Sequence, residues 1–261
     1  HYNNKLVVYS DSDEPNPGGS NPSNADLLNR MEQSIGNDFQ WQLQPQTMGF
    51  IGYTYSWVRY DGDEEIAPMQ VVNGNNTKYY SGDRNYNAHY VYVGLDRVFS
   101  ANFSGMAKVG GTLVDSYNDP ASSESNWAPY ADISLTYTYL PGSYVQGGFH
   151  QDINATSVAA TGDDGRLTQY QETSVAYLDV THQFNRKLTG SMVAQYIYSS
   201  YQYGAYEGDG ENSVSVGVNL SYQLNRYLSA DVGYNFDELF SDVDDRGNTR
   251  NRVYFGLTAT Y

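Results

Sequence analysis

Polar and apolar residues alternate along most of the chain after about residue 38, with a period of two. Val214, Val216, Val218, Leu220, Tyr222 and Leu224 interleave with Ser213, Ser215, Gly217, Asn219, Ser221 and Gln223. Val253, Phe255, Leu257, Ala259 and Tyr261 do the same with Arg252, Tyr254, Gly256, Thr258 and Thr260. Period two predicts strands with one apolar and one polar face. The runs last about 10–16 residues, whereas soluble strands average roughly 5–6. A strand tilted across a bilayer needs about 9–11. The lengths therefore predict membrane spans with an extension above them. The one helix signal is Asn24 to Glu32, where Leu27, Leu28 and Met31 predict one or two turns inside a loop.

Short connections recur at one end of these strands. Phe184-Asn185-Arg186-Lys187-Leu188 and Leu224-Asn225-Arg226-Tyr227-Leu228 share one shape, and Leu95-Asp96-Arg97-Val98-Phe99 reads as the same turn. Tyr139-Leu140-Pro141-Gly142-Ser143 and Leu43-Gln44-Pro45-Gln46-Thr47 turn on proline. The opposite connections, roughly 11–37, 61–84, 115–128, 152–171, 203–212 and 241–250, are long, polar and acidic. Short turns at one end and long loops at the other predict an outer-membrane barrel. Eleven strands begin near residues 38, 47, 85, 100, 129, 143, 172, 187, 212, 227 and 251, and residues 1–10 supply a twelfth. First and last strands are then expected to pair, because an open edge in lipid leaves backbone groups unsatisfied.

The alternation assigns Ile51, Tyr53, Tyr55, Trp57, His89, Val91, Val93, Val109, Ile133, Leu135, Leu178, Tyr196 and Tyr198 outward. The full outward series assigned on these strands contains no acid, Lys or Arg, as hydrocarbon demands. Its aromatics gather toward strand ends, in two girdles. The inward series carries the candidate pore-lining residues Lys108, Asp132, His150, Asp152, Asp179, Asp231, Asp237 and Arg252. Intramembrane charges face water or one another. They line a water-filled pore with a mild preference for cations, or they pair within a plugged lumen. Inward tyrosines, among them Tyr90, Tyr92, Tyr130, Tyr177 and Tyr254, bear on the same choice by narrowing the bore.

Composition narrows the function classes. Lys+Arg number 14 against 30 Asp+Glu, a net charge of −16, which argues against nucleic acid as a partner. Without Cys there is no disulfide framework and no thiolate metal site. Mean hydropathy is −0.61 and no apolar run reaches helical-span length, which says nothing against a barrel. His1-Tyr2-Asn3-Asn4 shows no leader, so the chain reads as a mature or trimmed form. Asp242-Val243-Asp244-Asp245-Arg246-Gly247 begins like a calcium loop, but Arg246 takes a ligand position, and a solvated acidic loop is expected instead. His150 and Asp152 share a face, yet no nucleophile motif accompanies them, so no catalysis, metal or cofactor is expected.

The segments Val91-Tyr92-Val93-Gly94-Leu95-Asp96-Arg97-Val98-Phe99, Ser134 to Tyr139, Val216 to Asn225 and the closing Arg252 to Tyr261 carry a family resemblance. The chain resembles the β-barrel porin type 2 group of Gram-negative outer-membrane proteins. The resemblance implies porin-like placement in the bacterial outer membrane and carries no catalytic residues. The expectation is one all-β domain over residues 1–261. It is a twelve-stranded antiparallel up-and-down barrel with short periplasmic turns and long extracellular loops. It would pass small solutes, and outer-membrane lipid is its expected surroundings. The alternative is a structural barrel with an occluded lumen that anchors a protein partner through its acidic loops. A soluble β-sandwich or solenoid is a third reading.

Overall fold

A computed structural model describes residues 2–8, 27–61, 65–72, 74–121, 125–243 and 245–259. Its strands are β1 (Tyr2–Val7), β2 (Arg30–Gln44), β3 (Thr47–Tyr60), β4 (Glu65–Val72), β5 (Asn75–Tyr80), β6 (Tyr86–Ser100) and β7 (Phe103–Asp115). They continue as β8 (Ser125–Leu140), β9 (Ser143–Ala155), β10 (Tyr170–Gln183), β11 (Leu188–Gln202), β12 (Gly210–Asn225), β13 (Leu228–Ser241) and β14 (Asn248–Ala259). Twelve form one antiparallel sheet in the order β1-β2-β3-β6-β7-β8-β9-β10-β11-β12-β13-β14, and β4-β5 make a separate hairpin. From β2 onward the sheet strands run from 12 residues in β14 to 16 in β8 and β12, long enough to cross a bilayer at a tilt.

Several boundaries differ from the sequence expectation. Leu27 and Leu28 are helical, but Arg30, Met31 and Glu32 are already strand. Met31 faces outward opposite Leu6, so its apolar character serves a sheet rather than a helix. Residues 9–26, which hold most of the first long loop, lie outside the described residues, as do His1, Asp244 and Tyr261. The expected turn at Leu95–Phe99 is strand. Arg97 pairs with Thr47 on one side and Gly105 on the other, and the chain reverses at Ala101-Asn102. No ladder joins β1 to β14 among the described residues, and β1 pairs with β2 only along Arg30–Ile35.

The remaining turns form where the chemistry requires. The Asn185 side-chain oxygen accepts from the amides of Lys187 (2.8 Å) and Leu188 (3.0 Å), and that of Asn225 accepts from Tyr227 (2.8 Å). An Asn side chain thus substitutes for a backbone acceptor in the tight reversal. Gly142 turns at φ +76°, a left-handed conformation that favours glycine.

Leu135, Phe255 and most apolar residues of their parity are exposed on the outer face. Both outward histidines are bound to tyrosine. Tyr53 Oη lies 2.8 Å from His89 Nδ1, and Tyr139 Oη lies 2.9 Å from His182 Nδ1. Tyr55 stacks on Trp57 toward the loop end and Phe99 on Phe103 at the turn end.

The buried cores sit at the loop end. Val58, Tyr60, Tyr86, Ala88, Val114, Ala128, Ile153 and Tyr170 form one cluster contributed by β3 and by β6 through β10. The β4-β5 hairpin packs Ile66, Ala67, Val72 and Tyr79 onto Leu167 of the β9-β10 connection. Arg84 is fully buried between these layers. It donates to the carbonyls of Leu27 (3.0 Å) and Thr156 and to Tyr60 Oη (3.2 Å), with its guanidinium 4.3 Å from the Tyr60 ring centre. One cation thereby ties four segments into a cap over that end of the sheet.

Candidate functional site: the inner face of the sheet

In an antiparallel ladder, directly paired residues share a face, so register alone assembles the inner surface. Lys108 pairs with Asp132, Asp132 with His150, and His150 with Val175. Three of the candidate residues therefore stand in one lateral row. His150 Nε2 lies 3.6 Å from the carboxylate of Asp152, the next inward residue on its own strand. Asp179 accepts from Tyr144 Oη at 3.4 Å. Asp231 lies between Ser221 and Gly256 in register.

Asp237 is the most heavily bonded of the set. It accepts from Ser215 Oγ at 2.5 Å and is paired with Arg250 (3.2 Å) and Arg252 (3.1 Å). Arg250 was not among the sequence candidates, although its parity matches that of Arg252. The strand was expected to begin near 251, which left Arg250 in a loop. Another inward network escaped for the same kind of reason. Glu32 binds Lys5 at 3.0 Å and Arg30 at 2.8 Å, within a segment read as loop and helix. Asp96, assigned to a turn, faces inward opposite Met48 and Met106. Asp38 accepts from Tyr92 Oη at 2.6 Å.

Lys108 holds a different position from the other charges. Its Nζ lies 5.3 Å from the ring centres of both Phe50 and Tyr92. Among the described residues no carboxylate comes within ion-pair distance of it. It lines both a cavity of about 330 Å³ toward the loop end and another of about 130 Å³ toward the turns.

Four of the inward aromatics lie against the wall. Tyr92 lies over Gly52, Tyr254 over Gly233, Tyr177 over Gly148 and Phe50 over Gly94, each the register partner on the adjacent strand. A Cβ at Gly233 would sit 2.2 Å from the Tyr254 ring. The glycines recess these four rings against the wall. Tyr130 stands between Tyr90 and Tyr92, with ring centres 5.6 and 5.3 Å away. The β12 part of the wall is lined instead by the small residues Ser215, Gly217, Asn219 and Ser221.

At the acidic loops, Asp242 accepts from the Gly210 amide at 3.0 Å and Arg246 binds Glu211 at 2.6 Å.

Eleven long antiparallel strands and a short first one, apolar outside and charged within, define an outer-membrane β-barrel protein of the porin class. The chain belongs to the Putative beta-barrel porin 2 family, whose profile matches residues 3–261. Among solved structures it is similar to the copper transporter OprC, with a TM-score of 0.55 and 11% identity over 89% of this chain and 41% of that one. It spans less than half the length of that transporter. It is also similar to the NanC porin, with a TM-score of 0.36 and 13% identity, covering 89% of this chain and 94% of that chain. No curated protein matches it.

Proposed function

We propose that the chain is a narrow outer-membrane channel for passive diffusion of small solutes, with a mild preference for cations. The observation that carries this reading is the imbalance of unpaired charge on the inner face. Asp38, Asp96, Asp132, Asp179 and Asp231 lack a basic partner within ion-pair distance among the described residues, whereas Asp237 is neutralised by Arg250 and Arg252. Against them stands Lys108. A cation entering such a lumen meets favourable potential from the acids. The recessed rings and the small residues of β12 support a passage along that side. Lys108, Asp132, His150, Asp152, Asp179, Asp231, Asp237 and Arg252 are its proposed lining, with the short turns toward the periplasm and the long loops outside.

Planar-bilayer recording in a KCl gradient tests the reading. The expected result is step currents whose reversal potential favours K⁺. Asp132→Asn, Asp179→Asn and Asp231→Asn together should move that potential toward the unselective value. Absence of step current from folded protein sinks the channel. An unmoved reversal potential removes the charge lining while leaving the pore.

The loop-end cluster and the Arg84 tie favour a second reading, a barrel closed at that end whose acidic loops bind a protein partner. In that case Arg84→Ala leaves the protein as silent as before. In a capped channel the same substitution raises conductance.

A further inference from the structure

The larger inner cavity has two unlike walls. β6 and β8 contribute aromatic rings, with Tyr130 at their centre beside Tyr92. β2 and β3 contribute hydrogen-bonding groups, among them Ser34 and Thr54, with the Glu32 carboxylate at the edge. Lys108 also lines it, toward the smaller cavity that it shares. At about 330 Å³ the space lies at the small end of ligand pockets, which run roughly 300–1,000 Å³.

The chemistry of those walls selects among small solutes. A purely apolar solute would offer the hydroxyls of Ser34 and Thr54 and the Glu32 carboxylate nothing to bond on the cavity side. A simple dianion would face Glu32 and Asp152 as well as Lys108. A pyranose ring presents an apolar C–H face on one side and hydroxyls around its rim. The C–H face packs on a tyrosine ring, and the rim hydroxyls both donate and accept, as a wall of mixed hydroxyl, carboxylate and ammonium groups requires. The Glu32 carboxylate is held by Lys5 and Arg30, so it is oriented before a ligand arrives.

The geometry points to a binding site for a neutral mono- or disaccharide in this cavity, stacked on Tyr130 and hydrogen-bonded across to Ser34, Thr54 and Lys108. This deepens the channel reading, and names a carbohydrate as the solute class the lumen retains on its way through.

Cellobiose and glucuronate serve as probes, by calorimetry on detergent-folded protein and by interruption of single-channel current. Cellobiose should bind the unaltered protein and Tyr130→Phe alike, and Tyr130→Ser about tenfold more weakly, because the ring face is lost. Thr54→Val, which keeps shape and removes the hydroxyl, should weaken binding severalfold and carries the test should Tyr130→Ser fail to fold. No binding by the unaltered protein overturns the site. Equal affinity in Tyr130→Ser and Thr54→Val overturns it too. Glucuronate binding that is lost in Lys108→Gln, with no binding of cellobiose, replaces it with an anion site. Calorimetric binding without any channel current upholds the sugar site and rejects the channel.

Discussion

Arg84 carries a charge into the cap with no carboxylate at ion-pair distance among the described residues. Burial pulls its pKa below the ordinary arginine value, and two carbonyls, a phenol and the Tyr60 ring stand in for a counter-ion. Arg84→Met leaves those acceptors buried and unpaired, at about 1–3 kcal/mol for each. The expected outcome is fast limited proteolysis within residues 65–80 and 156–169, while the barrel keeps its heat-modifiable migration on gels. Arg84→Lys should fall short of full rescue, since an ammonium cannot span the same fork of acceptors. Tyr79 gives the cap a pH dependence. Its hydroxyl donates to the Gly165 carbonyl at 2.6 Å. Burial, and then Asp119, raise its pKa above the ordinary 10.0. Below that ordinary value the phenol is neutral both docked and undocked, so docking is insensitive to pH. Above it only the undocked form ionises, and the hairpin loosens progressively from about pH 10 upward. Hydrogen exchange of residues 65–80 against pH should show this loosening, and Tyr79→Phe should abolish its tyrosine component.

Paired glycines and aromatics are the unit from which the inner wall is made, and they respond differently to the same added methyl group. Gly233→Ala forces the Tyr254 ring off the wall, because the new carbon would sit 2.2 Å from it. The expected cost is about 1–3 kcal/mol in the urea unfolding of the barrel, with reduced conductance as the ring enters the lumen. Gly256→Ala on the neighbouring strand meets nothing nearer than 3.9 Å and should change neither. Strand faces were legible from the sequence because parity survives an error of two or four residues. The turn expected at 95–99 lies at 101–102, yet Leu95 and Phe103 still face outward. The Asn-Arg turns were legible because the Asn side chain itself makes the reversal. The β4-β5 hairpin was not recognised, although Asn73-Gly74 between Val71-Val72 and Tyr79-Tyr80 is a hairpin signal and Gly74 has φ +81°. Of the site, the single charges could be read from parity. Their partners could not, because Glu32 with Lys5, and Tyr92 with Asp38, meet only when the register of distant strands is known.

The sheet as a whole has one place where its own rules are unmet. Among the described residues every interior strand is paired on both sides, while β14 has no partner along its outer edge over Asn248–Ala259 and β1 is only Tyr2–Val7. In water, solvent satisfies those amides and carbonyls. Within hydrocarbon each unpaired backbone group costs several kcal/mol, so a membrane-embedded sheet with a free edge is unstable by more than a domain's entire stability. The outward side chains on β14 make retreat into water equally unfavourable, because Val253, Phe255 and Leu257 are exposed and apolar. The edge must therefore be paired once the protein is in lipid. The pairing should be visible in hydrogen exchange read by mass spectrometry in lipid nanodiscs. Residues 248–259 should be protected to the same degree as 228–241, whose amides lie in a completed ladder. In a water-filled detergent opening the two segments should diverge, with 248–259 exchanging faster. Equal protection in both media means the seam is closed before insertion. Fast exchange of 248–259 in the nanodisc means that the edge stays open toward an aqueous lumen, and the barrel description of the sheet would then be wrong.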